Sequence, residues 1–410
     1  MIYVLALKVP EAGGAVTTGL TPGQLATLLG ARDLVEVGPL PGGQWRITGR
    51  RRVGALRLGH GDDAIDLYLR PKLPISSLLF LLSYTAGDPH WRQSVVTTGT
   101  EAELMPAVAG LFVRMASQTL NTGVLHGYRP VRESLYALRG RLDVSEQLRR
   151  GGLSLPVAVE YDEFTADIPE NQILAAAIAR LTSLRGVAPA TNAALRHLTG
   201  RLVDVSIPTP GAPLPTWTPN RLNERYTAAL RLAELILSDT VPDLRHGESV
   251  AVHGFVIDME RLFERFLETA FRDAAGQYGM RCLRQHVHHL DAARAIKIRP
   301  DISVHGADGL HSVVDAKYKT SGGVPNDPAD LYQLTAYCTA LGLKTGHLVY
   351  ASGPAEPVTH AVGSTGTTIT VHGLNLSAEP ARILETVARI AEFASRGDAP
   401  HGPARNLAAA

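Results

Sequence analysis

The stretch Arg299–Lys319, RPDISVHGADGLHSVVDAKYK, decides the fold of this chain. From Ala295 to Val304 the residues alternate, with Ile296, Ile298, Ile302 and Val304 on one side and Lys297, Arg299, Asp301 and Ser303 on the other. That period predicts a strand whose Asp301 turns away from the apolar face. The run His305-Gly306-Ala307-Asp308-Gly309 has the composition of a chain reversal, so Ser312 to Lys319 is expected to pair antiparallel with the first strand. Its own period of two puts Asp315, Lys317 and Lys319 on one face and Val314, Ala316 and Tyr318 on the other. Two carboxylates on neighbouring strands suit a hard cation: Asp301 and Asp315 are candidate ligands for Mg²⁺, with Mn²⁺ as the alternative ion. Lys317 would then offset the charge that develops during hydrolysis of a phosphodiester. The plain alternative is an ordinary hairpin whose Asp and Lys residues are solvated or form a surface ion pair.

Pro300-Asp301 followed by Asp315-Ala316-Lys317 resembles the PD-(D/E)XK nuclease signature. Met259-Glu260-Arg261-Leu262-Phe263-Glu264, Val314 to Lys319, and Asp330-Leu331-Tyr332-Gln333-Leu334-Thr335-Ala336-Tyr337 narrow the resemblance to the McrC family, the nuclease subunit of McrBC 5-methylcytosine restriction systems. Leu138-Arg139-Gly140-Arg141-Leu142-Asp143, Glu160 to Phe164 and Pro169 to Leu174 are also similar to that family, so the likeness runs from about Leu69 to about Tyr350. The resemblance implies a Mg²⁺-dependent endonuclease of a modification-dependent restriction system, acting on DNA and activated by an AAA+ GTPase on another chain. It implies Asp301, Asp315, Lys317, Glu264 and Gln333 as the catalytic set, with the Ala316 backbone carbonyl joining the two aspartates at the metal.

Composition agrees with two or three domains: 410 residues with 45% hydrophobic content can fill more than one core. A net charge of only +1 confines any nucleic-acid surface to a local patch. Two cysteines, Cys282 and Cys338, exclude a disulfide framework and a four-cysteine cluster, and a reducing cytoplasm is the expected compartment. Met1 to Lys8 lacks a basic leader and no apolar run approaches membrane-spanning length, so secretion and membrane insertion are not expected.

The expected architecture is α/β, with a restriction-endonuclease-like carboxy-terminal domain behind a β-rich and a mainly helical one. Residues 1–95 carry short strand-like runs at Trp45–Ile47, Val53–Leu58 and Ala64–Leu69 between Gly and Pro turns, followed by a buried helix from Ile75. By resemblance this β-rich domain would contact the NTPase partner; it is equally readable as a packing module. Residues 96–245 turn mainly helical, with stripes over Pro106–Leu120 and Ile173–Leu184 and a proline-dense linker at Pro208–Pro219. Here Arg129, Arg132, Arg139, Arg141, Arg149 and Arg150 outnumber Glu133, Asp143 and Glu146. That face reads either as a DNA-backbone surface, with Arg139, Arg141 and the distant Lys319 as candidate phosphate contacts, or as a solvated mixed-charge face. Glu160 to Glu163 reads as structural.

The nuclease domain is expected over 246–396, with 397–410 a disordered tail. Asp258 suits a helix cap before the stripe Met259, Leu262, Phe263, Phe266, Leu267, Ala270 and Phe271. Glu264 borders that stripe, where it either adds a third carboxylate to the cleft or stays in the exposed ladder Glu260, Glu264, Glu268. Asp327-Pro328-Ala329-Asp330 starts a second helix that carries Gln333 and stops at Gly342. His286-Val287-His288-His289 lacks ligand-spaced partners for zinc, and Gly342-Leu343-Lys344-Thr345 lacks the glycines of a phosphate loop. A nuclease of this type would therefore take NTPase activity from a separate chain. Two other readings remain open: a regulatory subunit that mainly binds and stimulates an AAA+ NTPase, and a stand-alone nuclease of repair or defence.

Overall fold

The computed structural model describes residues 4–88, 90, 104–151, 155–184, 186–209, 212–238, 253–319, 327–363 and 366–396. Position 246 and the tail 397–410 lie outside them. The elements run β1 (Leu5–Pro10), β2 (Ala15–Gly19), α1 (Pro22–Gly30), β3 (Val35–Leu40), β4 (Gln44–Gly49), β5 (Arg52–Leu58), β6 (Ile65–Arg70) and α2 (Ile75–Ala86). Then come α3 (Leu104–Asn121), β7 (Gly127–Leu135), β8 (Arg141–Leu142), α4 (Val144–Arg149), β9 (Val157–Thr165), α5 (Pro169–Thr182), α6 (Pro189–Arg201) and α7 (Thr227–Ser238). The last part holds β10 (His253–Asp258), α8 (Met259–Ala275), β11 (Arg281–Arg284), β12 (His288–His289), β13 (Lys297–Ile298), β14 (Ile302–Gly306) and β15 (Gly309–Lys317). It closes with α9 (Pro328–Leu341), β16 (Thr345–Tyr350), β17 (Val358–Val362), β18 (Thr367–Gly373) and α10 (Pro380–Arg396).

The chain forms two compact units, one of Met1–Ala107 with Val241–Ala410 and one of Val108–Thr240. The first unit joins what the sequence reading separates at 95 and 246. Strand β10 pairs antiparallel with β5, from His253 opposite Arg57 to Asp258 opposite Arg52, and completes the sheet β1-β6-β5-β10. Gly54 and Gly254 make this pairing close: a Cβ on either would lie 2.3 Å or less from a carbonyl of the other strand. The apolar faces of β1, β5 and β6 pack with Leu28 of α1 and Ile47 of β4 into one core. On α2, Phe80 and Tyr84 meet Phe266 of α8 with ring centroids 5.4 and 5.6 Å apart.

The second sheet of this unit has the order β11-β14-β15-β16-β18-β17, with β15, β16 and β18 mutually parallel. Helix α9 covers one face through Leu334 and Cys338, against Val313, Leu348 and Val371. Helices α8 and α10 pack with each other and against β15. Covered on both sides, β15 is buried from Ser312 through Ala316, as a central parallel strand should be. The expected strand over 295–304 is broken: β13 pairs with β12, Ile296 is exposed, and the ladder resumes only at Ile302. Pro300 explains the interruption, since it brings no N–H to a ladder position.

In the second unit the expected helices form, α3 and α5 among them, beside a three-stranded sheet β7-β9-β8. The arginine-rich stretch is therefore largely strand, and its charges are matched across the sheet. Arg129 pairs with Glu163 and Asp167, and Arg132 with Glu160. Arg149 and Arg150 both reach Glu146, and the Arg139 guanidinium stacks 4.0 Å from the centre of the Tyr161 ring. Five of the six arginines are matched in this way, so the mixed-charge reading describes most of this face. Gly140 sits at φ 72° where a Cβ would meet Tyr161 at 2.4 Å, so this turn demands glycine. Asn171 is buried and donates to the carbonyls of Leu125 and Ala166 at 2.8 and 2.7 Å, tying loops to α5.

Candidate active site

The site lies at the carboxyl end of β15, where open parallel sheets place their clefts. Ile302 is opposite Val314 in the β14–β15 ladder, so Asp301 and Asp315, one step further on each strand, face each other. Like charges placed opposite in this way repel and cost stability unless something else offsets them. Asp301 Oδ2 accepts the Ala316 N–H at 2.9 Å, which fixes one carboxylate against the other's strand. Asp315 is only 3% exposed. Its Oδ2 forms an ion pair with Lys317 Nζ at 2.6 Å.

Lys317 also donates to Gln333 Oε1 at 2.9 Å, and Gln333 Nε2 donates to the Tyr337 hydroxyl at 2.8 Å. Helix α9 thus holds the lysine over the carboxylates. Its start is the expected one: Asp327 accepts from Ala329 N–H at 3.0 Å, and Gly342 ends it in the left-handed region. Helix α8 is capped by Asp258, which accepts from the Glu260 and Arg261 N–H groups at 3.0 and 3.1 Å. One turn in, Glu264 is half-buried and interacts electrostatically with Asp315 and Asp301.

Burial pushes the Asp301 carboxyl up to about 7, the Asp315 charge adds to this, and the Ala316 hydrogen bond opposes it. Burial likewise raises Asp315, against the pull of Lys317. Glu264 is raised by burial, then by Asp258 and Asp315. Desolvation works against the Lys317 ammonium, but Asp315 outweighs it and keeps the lysine above its ordinary value. Three raised carboxyls around one lysine hold more negative charge than that lysine neutralises. Among the described residues no three His, Cys, Asp or Glu side chains converge as a ready-made metal cage. Mg²⁺ does not need one: it binds through one or two carboxylates and keeps water for the rest of its shell. The opposed aspartates fit that requirement.

Of the residues expected at the site, Asp301, Asp315, Ala316, Lys317 and Gln333 come together by direct contact, and Glu264 by its field. Lys319 does not join them. Its ammonium bonds Asp327 Oδ2 at 2.7 Å and Asp330 Oδ2 at 2.5 Å, and Asp330 also accepts the Tyr350 hydroxyl at 2.7 Å. Arg139 and Arg141 belong to the other unit. A cleft of about 690 Å³ is lined by Arg50, Arg51, Arg52, Asp258, Glu260 and Lys319 among others. Arg50 pairs with Glu36 at 3.6 Å and Arg52 with Asp258 at 3.5 Å, so its cations are already matched. Sequence reasoning missed Glu11, which is fully buried and accepts the Tyr318 hydroxyl at 2.9 Å. No local signal marks it, because its partner is 307 positions away.

Residues 48–351 match the family model described as McrBC 5-methylcytosine restriction system component. No curated protein matches the chain. Among solved structures, the chain is similar to one in the refined half-complex from the tetradecameric assembly of Thermococcus gammatolerans McrB AAA+ hexamers with bound McrC. That likeness has a TM-score of 0.56 at 19% identity, covers 95% of this chain and 99% of the other, and is one of fold. A chain of the Thermococcus gammatolerans McrBC complex, solved by cryo-EM, aligns over 66% of this chain and 88% of its own at 19% identity, with a TM-score of 0.40. No helix among the described residues is long and apolar enough to cross a membrane.

Proposed function

The chain belongs to the McrBC 5-methylcytosine restriction system component family, and from that premise we propose that it is the nuclease subunit of such a system, hydrolysing DNA phosphodiesters when activated by an AAA+ GTPase. The observation that carries the reading is the opposition of Asp301 and Asp315, with the Lys317 ammonium paired to Asp315 at 2.6 Å. In this reading the six-stranded sheet and its flanking helices are a restriction-endonuclease-like, PD-(D/E)XK domain.

Asp301 and Asp315, with the Ala316 carbonyl, would hold Mg²⁺ or Mn²⁺. When bound, the ion supplies Lewis-acid polarisation of the phosphate and a more acidic water. Lys317 offsets the negative charge that grows on the phosphate oxygens, and Gln333, held by Tyr337, keeps its ammonium in place. Glu264, raised by burial and by its acidic neighbours, is a stronger base than an ordinary carboxylate and would orient water or take a proton from it. The absence of a phosphate loop from the sequence supports a partner chain as the source of NTPase activity. DNA contact by Arg139 and Arg141 belongs to the same proposal, with Arg141 the better placed of the two because Arg139 already stacks on Tyr161.

The test is cleavage of methylated and unmethylated plasmid with Mg²⁺, with and without the cognate GTPase and GTP, with Asp315→Ala as control. Cleavage that needs both partner and GTP and disappears in the variant is expected. Cleavage by the chain alone would indicate a stand-alone nuclease, and GTPase stimulation without cleavage a regulatory subunit.

A further inference from the structure

Glu11 follows β1, at the opposite end of the chain from the carboxylate pair, yet it lies in the same compact unit. Its backbone is fixed twice: its N–H donates to Arg70 O at 2.9 Å and its carbonyl accepts from the Arg51 N–H at 2.7 Å. Its side chain is fully buried, and one oxygen, Oε1, accepts both the Tyr318 hydroxyl at 2.9 Å and the Lys72 N–H at 3.0 Å. The other oxygen has no hydrogen-bond partner. Holding a carboxyl in this state costs free energy, so the contact needs a reason beyond packing.

Tyr318 supplies one. It is the residue after Lys317, it is 3% exposed, and its ring lies 6.1 Å from that of Phe263, the residue before Glu264. The phenol, which follows Lys317 in the chain, thus packs on the residue that precedes Glu264, with its hydroxyl anchored on Glu11 at the end of β1. On the far side Lys319 ties the same strand end to α9 through Asp330. The remaining ties of this segment, from the Ala351 N–H to the Lys317 carbonyl and from Lys319 to Asp330, lead to β16 and α9, so the Glu11 bond is the one that reaches the amino-terminal sheet.

We propose that Glu11 is a positioning residue of the active site, acting through Tyr318 to fix the Lys317 end of β15 against α8. This rests on the nuclease reading of the site. It makes the amino-terminal sheet part of the catalytic architecture rather than a separable module.

The experiment uses the full chain with its GTPase partner, comparing Tyr318→Phe, Glu11→Ala, Glu11→Gln and the double variant Glu11→Ala/Tyr318→Phe. Misplacing a catalytic ammonium by a fraction of an ångström is expected to lower the cleavage rate about tenfold in Tyr318→Phe and in Glu11→Ala. The double variant should lose no more than either single one, because both remove the same bond. Glu11→Gln keeps an accepting oxygen and should recover most of the rate. GTPase stimulation should stay within about twofold of wild type throughout, whereas a merely structural role would lower stimulation and thermal stability together and leave the rate per folded molecule unchanged. A wild-type cleavage rate in Tyr318→Phe, or losses that multiply in the double variant, overturns the proposal.

Mn²⁺ affinity measured by electron paramagnetic resonance separates this from the nuclease reading itself. If wild type binds Mn²⁺ and Asp315→Ala does not, the site stands whether or not cleavage is seen; Tyr318→Phe should then bind Mn²⁺ within a few-fold of wild type while cleaving more slowly, and loss of Mn²⁺ binding in Tyr318→Phe overturns the proposal, because the variant would then disturb the carboxylates themselves. If Asp315→Ala binds Mn²⁺ as wild type does, the nuclease reading fails and this inference fails with it.

Discussion

The carboxylate pair makes a specific prediction about how metal and pH act together on stability. Asp301 has an ordinary value of 3.8 and is pushed to about 7 in the fold. Between those limits the folded chain keeps a proton that the unfolded chain has released, so stability falls as pH rises through the window and the full cost is present above it. The cost belongs to the pair, since the Asp315 charge is part of what raises Asp301. A cation at the pair removes that cost by displacing the proton. Below pH 7 its apparent affinity should therefore fall about tenfold per pH unit for each proton displaced.

The measurement is the difference in melting temperature between saturating Mg²⁺ and EDTA, taken across pH 5 to 8.5. The difference matters because the melting curve in EDTA also contains histidines of opposite sign. Burial lowers His347 to about 3 and His372 to about 4, so they add stability as pH rises towards 6.5. Those terms are common to both buffers and cancel. At a Mg²⁺ concentration about 100 times the dissociation constant at pH 8, binding adds ~2.7 kcal/mol, a rise of several degrees for a unit of this size. At pH 5 the same concentration is about equal to the dissociation constant and adds ~0.4 kcal/mol, about a degree. An equal shift at both ends of the range, or a shift that survives Asp315→Ala, would refute the assignment of the pair as the cation site.

Lys317→Ala should reduce cleavage by roughly a hundred- to a thousandfold while leaving Mn²⁺ binding within a few-fold of wild type, since in the proposed mechanism the ammonium acts on the phosphate rather than as a ligand. Asp330→Ala should cost about 3 kcal/mol of thermal stability, read by calorimetry, because it leaves Tyr350 and Lys319 without their shared buried acceptor. Lys319→Ala should cost less, about 1–2 kcal/mol, as Asp330 keeps the Tyr350 bond. His347→Gln should remove up to about 1.4 kcal/mol per pH unit of acid sensitivity between pH 6.5 and 4, seen as a lower midpoint of acid unfolding.

What was legible in the sequence was local. The caps at Asp258 and Asp327, the stop at Gly342 and the apolar stripe of α8 all depend on residues within a few positions, and each forms as read. What was not legible was which strands would meet. Nothing in the local sequence shows that His253–Asp258 forms a strand paired with β5, nearly 200 residues earlier, so the domain boundaries drawn from composition cross a continuous sheet. The arginines of β7 looked like a basic face because their counterions lie on β9. Arg129 meets Glu163 and Arg132 meets Glu160 only in the ladder register.

The last five residues of the decisive stretch show the same limit at its sharpest. Period two puts Lys317 and Lys319 on one face and so treats them as equivalent. Their partners differ because the ladder ends between them: β15 stops at Lys317, whose carbonyl accepts the N–H of Lys319 at 3.0 Å and that of Ala351 at 3.0 Å. Past that point the chain turns, so Lys319 meets the start of α9 while Lys317 stays beside Asp315 and Gln333. A strand's alternation therefore identifies candidate catalytic side chains only up to the last ladder bond. Beyond it, Tyr318 and Lys319 act as anchors, one to Glu11 after β1 and one to α9, and they hold the end of β15 that carries Asp315 and Lys317.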